Sequence, residues 1–389
     1  MNRREFTAAG SAVVLATALQ PSAAFAAASP KTTFNPPIDR SLRWPPYEKA
    51  ISIDGLAGLG RMGGSGSLPF SEAELGDARE SGLTAVRLSL APQGAFWFDD
   101  AAFRRTLDAI SEFDQQIIAR PDVFSLILKG ADLQRAQRER KLGIIYGFQE
   151  TSPIGEDLDR IELFHKRGVR VIQLTHNRRN LVGDGCMEPG NAGLSNFGHK
   201  MIEALEQHKL VVDLAHAGRR TTSEAIAASK KPLLIGHTGC AALSDLPRCV
   251  TDESLRAMAD KGGVAGIIFW PYLRKDTQPM AIDVIRHIEH VINVCGEDHA
   301  GIGTDATLSA VERTPEFEKE NREMVAGMFE QGIFDRGRPP DLYTFIPDLN
   351  HVRRFEMLGA MLSARGHPDA RIAKVLGGNF ARVMGEIWG

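Results

Sequence analysis

Short apolar runs rich in β-branched residues recur along the chain, and each is followed by a stretch with helical periodicity. In order the runs are AISID (50–54), TAVRLSL (84–90), LGIIYGFQ (142–149), VRVIQLTH (169–176), LVVDLAH (210–216), PLLIGH (232–237), GVAGIIFW (263–270) and AGIGTD (300–305). Most are nearly continuously hydrophobic, the pattern of strands buried on both faces. The intervening segments carry helix signals. SEAELGDARESG places Ser71 at an N-cap, Glu74 three residues on and Gly82 as a stop; TDESLRAMADKGG opens on Thr251 and closes on Gly262 and Gly263. The long interval between Leu90 and Leu142 predicts two helices, 99–117 and 123–139. Residues from about 315 to 388 predict helices packed on the outside. Eight strand–helix alternations predict an α/β fold, a parallel (β/α)8 TIM-type barrel; a doubly wound sheet is the alternative, and strand count and domain size favour the barrel.

The N-terminus reads differently. MNRREFTAAG sets Arg3 and Arg4 before an apolar, small-residue run, and Ala24-Phe25-Ala26 offers a small-x-small cleavage site. Phe6 after the arginine pair gives this segment the form of a twin-arginine signal, with an ordinary secretory signal as the alternative. The expected division is a signal peptide over 1–28, an extension over 29–46 and one barrel domain over 47–389, in a bacterial protein exported to the periplasm or beyond by the twin-arginine machinery. No hydrophobic tail closes the chain, so no stable membrane anchor is expected after processing. A formal net charge of −3 gives no reason to expect a nucleic-acid partner. Cys186, Cys240, Cys249 and Cys295 form no CxxC zinc pattern; up to two disulfides or free buried thiols are both open.

In barrels of this class the chemistry sits at the C-terminal ends of the strands. Polar residues fall at those ends here: Gln149 with Glu150, His176, His216, His237 and Asp305. A single histidine closing an apolar run is ordinarily structural. Three histidines and an aspartate at equivalent ends of different strands would converge on one mouth, where neutral imidazoles and a carboxylate suit zinc with a position left for water. Arg248, on the loop after the sixth strand, is a candidate clamp for a substrate carboxylate or else a solvated loop residue. Asp184 and Glu188, on a glycine-rich loop after the fourth strand, either line the mouth or serve the turn. His165, His199, His208, His287 and His290 lie in helical patterns and are read as non-catalytic.

From about residue 47 onward the chain resembles the membrane dipeptidase (renal dipeptidase, peptidase M19) family of amidohydrolase-like barrels. The resemblance rests on VVDLAHAGRRTT followed by PLLIGHTGC, whose histidines stand 21 residues apart. IQLTHN, LPRCVTDE, GIGTD and GGNFARVMGEIW support it. By resemblance, His216 and His237 are zinc ligands, His176 stabilises an oxyanion, Arg248 binds substrate, Asp305 moves protons and homodimers are common. The family's binuclear site also takes a His-x-Asp from strand 1 and a bridging Glu from strand 3. Here DGLAGLG puts Leu56 and Gly58 at the first pair, and counting back from His176 puts Gln149 at the bridge. Glu150, next to it, points to the opposite side of a regular strand and would serve only with a local bulge. The expectation is therefore a metallohydrolase of dipeptides or related small amides with a reduced, mononuclear zinc site on His216 and His237, completed by Asp305, Gln149 or water. The alternative is a non-hydrolytic periplasmic protein that binds or tailors a peptide-like molecule on the same barrel.

Overall fold

The computed structural model describes residues 39–60, 68–91, 100–334 and 337–389. The predicted signal peptide (1–28) and residues 29–38 of the predicted extension lie outside them. All eight predicted strands form, and they pair in chain order and in parallel: β1 (Ile53–Asp54), β2 (Ala85–Ser89), β3 (Leu142–Phe148), β4 (Val169–Gln173), β5 (Val211–Asp213), β6 (Leu234–Thr238), β7 (Val264–Ile267) and β8 (Ala300–Ile302). The return from β8 to β1 is made by single hydrogen bonds. Gly55 N–H donates to the Ile302 carbonyl (2.9 Å) and Asp305 N–H to the Leu56 carbonyl (2.8 Å). Just above, residues 57–58 and 306–307 form a two-residue parallel pair. The sheet is thus nearly closed into a barrel.

Every second strand residue points inward. Ile53, Ala85, Ile145, Val171, Val211, Leu234 and Val264 make one apolar layer near the start of the strands. The terminal helix Asn379–Trp388 closes that end, with Phe380, Val383, Met384, Ile387 and Trp388 in the same cluster. A Cβ on Gly55 or Gly301 would sit 2.7 or 2.8 Å from the Phe380 ring, so glycine is required where the ring enters. This corrects the expectation that the last helices all pack outside: the final one plugs the bottom of the barrel.

A second correction lies between β2 and β3. The first predicted helix forms over Asp100–Ala119, but the predicted helix 123–139 begins as a short strand, Phe124–Leu126, parallel to β3, and turns helical only at Gly130. The cause is Asp132, whose Oδ2 accepts from the backbone N–H groups of Leu128 (2.9 Å) and Lys129 (3.1 Å) and so fixes the helix start. Elsewhere the caps match the sequence: Ser71 and Glu74 form a capping box, and Thr251 caps the helix Asp252–Asp260. Within the predicted extension, Trp44 is buried and its indole N–H donates to Asp369 Oδ1 (2.8 Å). The four cysteines are free, three of them buried. No described helix is long and apolar enough to cross a membrane.

Phe380 is wholly buried at the plug. Phe380→Ala should lower stability by about 3–5 kcal/mol through lost burial and the cavity left behind, read as a shifted urea midpoint at unchanged slope.

Candidate active site

The site is built at the C-terminal mouth. His216, three residues past β5, and Asp305, three past β8, both adopt left-handed backbone conformations, with φ of +61° and +53°. For a non-glycine residue this costs about 1–3 kcal/mol and needs support from its surroundings. The support is visible. Cys186 N–H donates to the His216 carbonyl (2.7 Å), Asp305 N–H to the Leu56 carbonyl, and the Trp270 indole N–H to the Asp305 carbonyl (2.5 Å).

These turns bring the predicted residues together. The Nε2 atoms of His216 and His237 face each other at 3.0 Å. His237 Nε2 lies 4.0 Å from Asp305 Oδ2 and 3.4 Å from the Gln149 amide nitrogen. His216 Nδ1 contacts Asn177 Oδ1 at 2.7 Å. An amide oxygen only accepts, so His216 carries its proton on Nδ1 and presents the Nε2 lone pair to the mouth. The 3.0 Å contact is then a hydrogen bond donated by His237. His176 stacks on His216 with ring centroids 4.2 Å apart. Arg248 is buried beside the pair; its Nη2 donates to the His237 carbonyl (2.7 Å), and its Nε has no partner.

Burial sets the protonation states. It pushes the His176 imidazole down to about 4 and holds His216 and His237 well below their ordinary value, with the Arg248 charge acting the same way. Burial raises the Asp305 carboxyl to about 7, against the pull of Arg248. At neutral pH the histidines are therefore neutral: His216 presents a free lone pair at Nε2, while His237 must shift its proton from Nε2 to the unpartnered Nδ1 before it can ligate. Among the described residues, one group of three ligand-type side chains lies within 4.8 Å: His216, His237 and Asp305. Two imidazole nitrogens and one carboxylate oxygen around an open mouth fit a single zinc-like ion. Gln149 adjoins them and offers its amide oxygen after a half-turn.

At the strand-1 metal positions of the family pattern, both among the described residues, no such donor stands. Leu56 is 2% exposed and packed in, followed by Ala57 and Gly58. Glu150 is buried outside the three-residue group, with Oε1 unpartnered, and burial raises its carboxyl to about 7. A bulge does occur in the β3–β4 pairing, between Tyr146 and Gly147. Gln149, and not Glu150, is the side chain that reaches His237. Asp184 and Glu188 serve their loop: Asp184 is paired with Arg179 and accepts from Ala192 N–H, and Glu188 accepts from Arg179 N–H (3.0 Å). Sequence reasoning missed Asn177, Trp270, Arg87 and Asp213. The last two were visible as charges inside the otherwise apolar runs TAVRLSL and LVVDLAH.

Comparison with known proteins bears on the family and the fold. The sequence pattern of the membrane dipeptidase family (peptidase family M19) matches residues 67–331. Dipeptidase ataJ of Aspergillus terreus is 27% identical over 310 residues, which cover 73% of this chain and 67% of that protein, so the likeness spans about two thirds of the fungal relative. Among solved structures, an amidohydrolase from Pseudomonas aeruginosa is 30% identical, with 88% of this chain and 98% of that chain covered and a TM-score of 0.73. A metallo peptidase from Rhodobacter sphaeroides, solved with a phosphinate mimic of the dipeptide L-Ala-D-Ala, shares the fold at 19% identity, 87% and 100% coverage and a TM-score of 0.69.

Glu150 supplies a pH test. Its folded-state carboxyl is raised from 4.5 to about 7 by burial. Below pH 4.5 it is protonated folded or unfolded and costs nothing; as pH rises past 7 the folded state must hold a buried anion, a cost of about 3 kcal/mol. Glu150→Gln should therefore gain stability over the wild type by about that amount between pH 4 and pH 8, measured by urea unfolding of the metal-free proteins.

Proposed function

The chain belongs to the membrane dipeptidase family (peptidase family M19), and from that premise we propose that it is an exported metallohydrolase of dipeptides or related small amides working with one zinc ion. The observation that carries the reading is the convergence of His216 Nε2, His237 Nε2 and the Asp305 carboxylate within ligand distance at the barrel mouth. A zinc ion there would be held by His216 and His237, with Asp305 and Gln149 beside it, and would polarise a scissile carbonyl and acidify a water.

The chain's own residues supply the remaining functions. Asp305, raised to about 7 by burial, suits proton transfer near neutral pH between water and the leaving amine. Neutral His176 can donate a hydrogen bond to the developing oxyanion. Arg248 supplies the fixed positive charge for a substrate carboxylate; one Nη2 proton is spent on the His237 carbonyl and the rest of the guanidinium remains for that role. With one ion in place of two, carbonyl activation is weaker, so slower peptide hydrolysis or a more reactive amide or ester is expected. L-Ala-D-Ala is the first substrate to try, because the Rhodobacter sphaeroides metallo peptidase binds its phosphinate mimic. Export rests on the Arg3–Arg4 signal alone, and a homodimer on the family likeness alone.

A second reading keeps the barrel and drops the hydrolysis: a periplasmic protein that binds or tailors peptide-like molecules. It is favoured by Leu56 and Gly58 at the strand-1 metal positions.

Elemental analysis of signal-processed protein, purified without chelators and lightly supplied with zinc, separates the two. We expect about one zinc per chain, lost in His216→Ala. Dipeptide turnover should fall by about 10²–10⁴-fold in Asp305→Asn and collapse in His216→Ala. Turnover unchanged in both variants would overturn the site assignment; wild-type protein without zinc would leave the binding protein as the better account.

A further inference from the structure

Directly beneath the candidate ligands the barrel interior is polar. One inward step above the apolar layer stand Arg87 on β2, Gln173 on β4 and Asp213 on β5. Arg87 and Asp213 are 0% exposed and form an ion pair across the barrel, Nη1 to Oδ2. Neighbouring strands make room for it with glycines. A Cβ on Gly147 would lie 2.7 Å from Arg87 Nε, and one on Gly236 would lie 2.5 Å from Asp213 Oδ2.

What the pair touches next is informative. Arg87 Nη2 donates to the Phe148 carbonyl (2.7 Å), and Asp213 Oδ1 accepts from Ala215 N–H (3.0 Å) and Gly236 N–H (2.7 Å). Phe148 immediately precedes Gln149, Ala215 precedes His216, and Gly236 precedes His237. One buried charge pair therefore grips the backbone one residue before each of three site residues that come from three different strands. A pair serving stability alone has no reason to choose these three groups. A buried ion pair is also a poor source of stability, since apolar residues of similar volume commonly do as well or better.

We infer that Arg87 and Asp213 are positioning residues, a cross-barrel clamp that sets the separation and direction of Gln149, His216 and His237. The inference rests on the reading of His216 and His237 as metal ligands. Asp54 acts in the same manner on the other side, accepting from Thr304 N–H (2.8 Å) and Thr304 Oγ1–H (2.7 Å) just before Asp305.

The test uses the full signal-processed chain carrying Arg87→Met with Asp213→Asn. The double substitution removes both charges at similar length and shape, so no lone charge is left buried. Two readouts are taken: zinc affinity by competition with a chromophoric chelator, and the ring NMR signals of the histidines in metal-free protein. We expect cooperative unfolding to survive and zinc affinity to fall about 10–100-fold, the range for loss of residues that orient metal ligands. The His216 and His237 signals should broaden or split, while those of His299 and His367, remote from the mouth, stay single. Arg87→Lys, which keeps the charge but loses the two-armed reach to Phe148, should fall between wild type and the double variant. A cooperatively folded double variant with wild-type zinc affinity and single His216 and His237 signals would overturn the inference and leave the pair a packing element. Should the double variant not fold, unchanged signals in Arg87→Lys would overturn it equally. If wild-type protein binds no zinc, the hydrolase reading fails separately, and the metal-free histidine signals still decide the clamp.

Discussion

The ion pair between Arg87 and Asp213 is the constraint around which the upper half of the barrel is arranged. Two charges taken fully out of water cost several kcal/mol each, and their attraction offsets this only when the geometry is good and their remaining hydrogen-bonding groups find partners. Here those partners are the backbone at the ends of β3, β5 and β6, with Arg87 Nε left without one. The strands must therefore end in a fixed register with one another, and Gly147 and Gly236 must lack side chains. An apolar layer in the same place would fill the space without fixing direction. The bottom of the barrel shows that contrast: the same strands are closed there by a phenylalanine and aliphatic residues, where only volume has to be matched.

Above the clamp, charge decides what the mouth can hold. With Leu56, Gly58 and Gln149 at the strand-1 and bridging positions, the family pattern loses a neutral imidazole and two carboxylates. A second dication would sit there without the anionic donors of that pattern. One dication on His216, His237 and Asp305 would meet a single carboxylate, which burial leaves divided between acid and anion near neutral pH. A bound cation favours the ionised carboxylate, so metal affinity and the charge of Asp305 are linked. The Asn177 contact matters for the same reason. It fixes which His216 nitrogen is free before any ion arrives, and the cost of choosing a tautomer is then already met by the fold.

The strands were legible because residues buried on both faces of a parallel sheet read as continuous apolar runs, and the site because polar side chains at the ends of such runs have few other reasons to be there. Phe124–Leu126 was not legible: three residues give no period, and the cap by Asp132 acts at the loop ahead of its own helix. The plug at Phe380 was hidden as well, since an amphipathic helix reads alike whether it lies along a barrel or under it. Arg87 and Asp213 were in plain view but are 126 residues apart, and only the closed sheet shows that the two charges face each other. The relation of Gln149 to Glu150 turned on side-chain direction, which adjacent positions at a strand end leave open until the contact of Gln149 with His237 is seen.

The strain at the mouth bears on whether the site still works. His216 and Asp305 both sit at positive φ, and each could relax if glycine or asparagine stood there. His176 and His237 each keep a buried Nδ1 without a partner, a cost that a different side chain would remove. A barrel kept only as a scaffold has no use for these penalties, because its fold is secured by the apolar layer, the plug and the strand ladders. Left-handed turns that aim a histidine and an aspartate at one point, with a neutral imidazole already set in its ligating tautomer, gain their return only when something binds at that point. The absence of donors at Leu56 and Gly58 does not account for the strain that remains.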